Sequence, residues 1–226
     1  MYMGKFFSFD SSFYRFATRI ADIMILNVLW IICSIPIVTI GASTTAVYYV
    51  CLKMAKDEET NIVKSFFKSF KENMKQGTIL WLLFVTVSGI LGVSFYYLFK
   101  VSESENTILK GIAILVTIIY VFSFLYVFPL LARYENTIQK TIINSMMISI
   151  RYLDRTIMIG LILAALIVIG FYSKEILILT LLLGVGVLCY VITNIVLKIF
   201  KDLDKLRAEW EENNLNNQVA AEESNQ

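Results

Sequence analysis

The chain has 226 residues, 58% hydrophobic, 14% aromatic and only 17% charged, with no histidine and a net charge of +2. Soluble domains hold roughly 45–50% apolar and about 25% charged residues, so the composition excludes an ordinary soluble domain and points to a membrane protein. The near balance of charge says little about partners; its distribution along the chain says more.

The N-terminal stretch FFSFDSSFYRFATRIADIMILN carries Lys5, Asp10, Arg15, Arg19 and Asp22 in and around it, and lacks the apolar core and cleavage site of a signal peptide. Asp10 or Ser11 is placed to cap a helix on which Phe13, Phe16, Ala17 and Ile20 share a face. Phe6, Phe7 and Phe9 add interfacial anchors ahead of the first membrane helix.

Residues 23–52 follow, 30 in a row without a charge, interrupted by Pro36, Thr39, Gly41 and the run Ser43-Thr44-Thr45. One helix of that length would measure about 45 Å, against roughly 30 Å of hydrocarbon. Pro36 disfavours helix at Ile35 and removes a donor, Gly41 permits a left-handed turn, and Ser43 or Thr44 can cap a new helix. The pattern predicts a hairpin: helix one over about 12–36 and helix two from near Ser43 to beyond Lys53. The alternative is a single kinked span.

Uncharged stretches at 76–99, 111–132, 156–173 and 176–197 meet or approach the roughly 20 residues that cross a bilayer. The expected fold is therefore all-α, a polytopic transmembrane bundle of six membrane segments, or five if the hairpin is one span. Alternating segments of about ten residues, the mark of a β-barrel, are lacking. The connection 53–75 holds six lysines; 133–155 and the tail after 197 hold four Lys or Arg each. The other connections hold only Lys100 with Lys110, and Lys174. Positive segments face the cytoplasm, which predicts a multi-pass plasma-membrane protein with both termini inside.

An offset of 76 residues lays Glu59 on Glu135, Ile62 on Ile138, Lys64 on Lys140 and Ser69 on Ser145. Phe66, Phe67, Phe70 and Met74 then fall on Ile142, Ile143, Met146 and Ile150, at helical spacing in both copies. Two cytoplasmic amphipathic helices are expected, each leading into an outward span. In the first, Lys64, Lys68, Lys71 and Lys75 would add attraction to anionic headgroups. Apolar helices align with one another easily, so duplication and coincidence both stay open.

Residues 1–200 read as one integral membrane domain and 201–226 as a helical extension with a tail. Ile199, Leu203, Leu206 and Trp210 form a stripe that can pack under the bundle or against a second copy. From Asn213 the composition reads as disordered.

Chemistry is scarce. The histidines that most often serve as bases and zinc ligands are missing. Cys33, Cys51 and Cys189 have no metal-ligand spacing and read as buried thiols. There is no phosphate-binding glycine motif or nucleophile elbow, and no charge in the middle of a span. No catalytic, cofactor-binding or metal site is expected, no enzyme activity, and no nucleic-acid partner. Asn27, Asn194 and hydroxyls such as Thr86, Ser88, Thr117 and Ser123 suit interhelical hydrogen bonds, and Gly89, Gly92, Gly184 and Gly186 suit close helix approach. A path for a neutral solute is the sharper alternative. Arg133 and Glu135, just after Pro129, are candidates for a local or interhelical ion pair at the cytoplasmic boundary.

LNVLWIICSIPIVTIGASTTAVYYVCLKMAKDEE, then IVKSFFKSFKENMKQGTILWLL, and later FPLLARYENTIQKTIINSMMISIRYLDRT, resemble the signature blocks of the YesL-like family. Pro36, Thr39, Gly41, Ser43, Thr44, Thr45, Pro129, Arg133 and Glu135 are the matching residues. The family consists of bacterial integral membrane proteins without an established activity, often encoded beside carbohydrate ABC transporters. The resemblance implies a role linked to sugar uptake. With the two cytoplasmic amphipathic helices and the lack of catalytic groups, the expectation is an accessory or regulatory protein partnered by transporter subunits, beside the bilayer its apolar stretches require and a second copy its C-terminal stripe could meet. A small transporter or channel for a neutral solute is the alternative.

Overall fold

The computed structural model describes residues 12–58, 61–101, 107–172 and 184–223, and the fold is given for those. Seven α-helices follow in order: α1 Ser12–Ser34, α2 Ile40–Ala55, α3 Ile62–Tyr96, α4 Thr107–Arg133, α5 Ile138–Arg151, α6 Leu153–Tyr172 and α7 Val185–Glu223. A 3-10 turn, Ile37–Thr39, precedes α2, and a π turn, Tyr97–Val101, ends α3. Among the described residues there is no strand. The stretches Phe16–Ser34, Ile37–Ala55, Ile62–Lys100 and Thr107–Arg133 are long and apolar enough to cross a membrane. α5 and α6, bent by 97°, make a fifth if taken as one broken span. That is four or five, against the six expected; the last expected span begins inside 173–183, outside the described residues, as do the proposed anchors Phe6, Phe7 and Phe9 and caps Asp10 and Ser11.

The hairpin forms, and the chain breaks at Pro36. Near the turn, the Trp30 indole donates to Thr44 Oγ1 at 3.1 Å; at the open end, Arg19 donates to the Met54 carbonyl and to Asp57, the latter at 2.6 Å. α2 ends in a Schellman motif, with Glu58 N–H on the Lys53 carbonyl and Asp57 N–H on that of Met54. The left-handed residue there is Asp57, φ 55°, where glycine is usual. Aspartate tolerates this conformation, and its carboxylate is held by Arg19.

α2 is the hub, packed against α1, α3, α4 and α7. It is small-residued and uncharged for most of its length, and buries Gly41–Ser43, Thr45–Tyr48, Val50–Leu52 and Met54. Such a helix gains little from facing lipid and much from close packing.

The first expected amphipathic helix is not a separate element. It is the beginning of α3, which runs unbroken for 35 residues into the apolar stretch. The second is separate, as α5. The tail also differs from expectation, because α7 stays helical to Glu223. Its Ala, Gln and Glu residues extend a helix already nucleated, and extension is far easier than nucleation.

Candidate functional site

The hairpin residues converge on the turn as structure. Thr39 Oγ1 donates to the carbonyls of Cys33 and Pro36, at 2.5 and 2.8 Å, tying the break shut from within. Thr39 is also the first residue before α2, which corrects the expected cap at Ser43 or Thr44. Those two lie inside the helix: Ser43 donates to the Thr39 carbonyl, Thr45 to that of Gly41, and Thr44 receives Trp30. Nor is Gly41 left-handed. Its role is contact, since a Cβ there would lie 2.2 Å from the Gly77 carbonyl oxygen of α3. Gly77 was not singled out from the sequence. Of the glycines that were, Gly186 packs against the Ile23 carbonyl, while Gly89 and Gly92 face open space.

Pro129 lies buried inside α4, where it leaves the Leu125 carbonyl without its usual donor. Arg133 ends α4 and its guanidinium binds Asp204 of α7, lying 4.7 Å from the Phe200 ring centroid. Of the local and interhelical pairs expected at this boundary, Arg133 makes the interhelical one; Glu135 is exposed, two residues on, where the chain has left the helix. Asp202, two residues before Asp204, takes Arg155 of α6 at 3.1 Å. α7 thus holds the end of α4 and the start of α6 through neighbouring aspartates. Lys64, Lys68, Lys71 and Lys75 are exposed along the start of α3.

Beside the Arg133–Asp204 pair, α4, α5 and α7 enclose a cleft of about 630 Å³. Its polar lining includes Tyr134, Asn136, Asn144, Arg151 and Arg207, and its apolar walls include Leu130, Met147, Ile148 and Leu203. Burial raises the Tyr134 phenol above its ordinary range; Arg133 pulls it down and Asp204 pushes it up. It therefore stays protonated near neutral pH and can donate towards Asp204, 3.4 Å away. The cleft and Asp204 were not found from the sequence, since Arg133 and Asp204 are 71 positions apart. Among the described residues no group of acidic or thiol side chains is placed to hold a metal ion.

Fold and site together define an all-α membrane protein whose hydroxyls mostly serve its own backbone and whose polar groups gather at the end where α4 stops and α6 begins. Residues 23–95, covering α2 and most of α1 and α3, match the family model described as "Protein of unknown function, DUF624". No curated protein matches the chain. No solved structure matches it either.

Proposed function

We propose that the protein is an accessory or regulatory subunit of a carbohydrate ABC transporter in the bacterial plasma membrane, with its basic end and both termini in the cytoplasm. The observation that carries this reading is the reach of α7. It is 39 residues long, it is anchored to the bundle through Phe200, Asp202 and Asp204, and it then continues with Leu206 and Trp210 turned outward, Trp210 being 66% exposed. An aromatic anchor on a charged helix beyond the membrane spans suits contact with a neighbouring subunit. The carbohydrate link rests on the resemblance of residues 26–59, 62–83 and 128–156 to a family encoded beside such transporters. A neutral-solute path has weaker support, because Ser43, Thr45, Thr86 and Thr117 each donate to the carbonyl four residues back in their own helix. A photo-crosslinking residue at position 210, in native membranes, should capture a permease or ATPase subunit, and deletion of the gene should alter uptake of one sugar. Clean membranes with intact transporters and no such adduct would remove the proposal.

A further inference from the structure

The cleft between α4, α5 and α7 has the position, the charge and the walls of a lipid site. The apolar stretch that ends at Arg133 and the helix that starts at Leu153 meet near one end of the bundle, where Tyr126 bonds Thr156, and the cleft lies beside them. Because α5 and α6 meet at 97°, an α6 that crosses the bilayer lays α5 along its surface. On α5, Met147 and Ile150 are 64% and 55% exposed. An apolar face on such a helix belongs among acyl chains.

The charge inside is not balanced. Asp204 also lines the cleft, but it is paired with Arg133 from outside the lining, which leaves Arg151 and Arg207 as the cations within it. Among the described residues Arg151 has no carboxylate partner, and Arg207 uses its Nε on Glu211, one turn along the same helix and exposed to solvent. Arg151 and Arg207 line the cleft together with Asn136 and Asn144, a set of donors that suits a phosphate ester and its neighbouring oxygens. The volume of about 630 Å³ falls in the range of small-ligand pockets, roughly 300–1,000 Å³. A soluble anion would use the arginines and leave the apolar walls idle. A phospholipid uses both.

We propose that this cleft binds one anionic glycerophospholipid, its phosphate held by Arg151 and Arg207 and its acyl chains passing over Met147 and Ile150. The proposal does not rest on the transporter reading, although Arg207 lies one turn before Trp210 on α7.

Native mass spectrometry of the purified full chain, titrated with phosphatidylglycerol and with phosphatidylcholine, tests this. One phosphatidylglycerol should bind at least about tenfold more tightly than phosphatidylcholine, as expected for a charge-assisted contact. R151Q/R207Q should abolish that preference, and R151K/R207K should keep part of it. K68Q/K71Q, on the exposed lysine stripe, should leave it unchanged. Equal binding of the two lipids by the unaltered protein would overturn the proposal without any variant. So would full displacement by soluble glycerol 3-phosphate at the lipid's own affinity, which would make the ligand a free anion. Retention of the preference in R151Q/R207Q would overturn the assignment to these residues.

Discussion

Two stretches of the molecule, 76 residues apart, start alike and end differently. α3 begins after Asn61, whose side chain caps the Lys64 N–H at 3.1 Å; α5 begins after Thr137, which caps Lys140 N–H at 3.4 Å. Ser69 and Ser145, one to each helix, are both fully buried. Fourteen residues in, α3 continues straight and α5 stops at Tyr152, from which α6 leaves at 97°. Two differences in the aligned residues account for this. At the break, the Thr156 hydroxyl lies within hydrogen-bond reach of the Ser149 and Tyr152 carbonyls and of the Tyr126 hydroxyl. The aligned residue in α3 is Leu80, which has no polar group to serve a freed carbonyl and is buried. Where α3 carries Gly77 against Gly41, the aligned position in the second stretch is Leu153, which is exposed. A bend persists where side chains satisfy the backbone it exposes, and a straight helix where its neighbour locks it from the side.

The largest effect is expected at the glycine contact. Gly77→Ala puts a methyl 2.8 Å from the Ala42 backbone, and should destabilise the bundle by about 1–3 kcal/mol or more. Leu153→Ala in the second copy should change stability by about 0.5 kcal/mol or less, both read from thermal unfolding in detergent. Comparable losses at the two positions would mean that the contact does not distinguish the copies. Next comes Thr156→Leu, which imposes the first stretch's aligned residue on the second. It should cost about 1–3 kcal/mol by stranding buried polar groups. Spin labels at Lys140 and Ala165 should also report a lengthened distance as the bend opens; an unchanged distance would show that something other than this hydroxyl holds it. Smaller and parallel effects belong to the caps. Asn61→Ala and Thr137→Ala should each cost about 1 kcal/mol, the former more because its bond is shorter. Among the hydrogen-bond variants the smallest loss belongs to Ser145→Ala, which gives up the 2.6 Å bond to Ser123 and, at the membrane average, about 0.6 kcal/mol.

The sequence made part of this legible. Thirty uncharged residues around Pro36 forced a choice that geometry resolves as a hairpin, and the offset that aligned Ile62 with Ile138 also aligned the two caps. The bend was hidden because both copies share the same apolar spacing, and the deciding residues, Thr156 and Gly77, look ordinary in a row of membrane-helix residues. Gly41 was rightly singled out, for a turn it does not make, since the reason for it lies on another helix. For Arg133 a local or an interhelical pair was open; the interhelical one forms, but its partner lies 71 positions away and sequence proximity does not show it. The cleft escaped for the same cause, being assembled from three helices that only the fold brings together.

The Asn27 side chain, buried in α1, accepts the backbone N–H of Gly186 in α7 at 3.1 Å, and Arg19 lies over the Tyr190 ring. Two helices joined at positions 159 residues apart thus complete one another. During synthesis α1 and α2 can pair at once, but this contact must wait for some 160 residues to be made and inserted. The contact therefore forms only once α7 is in place, and its presence reports that the bundle has closed.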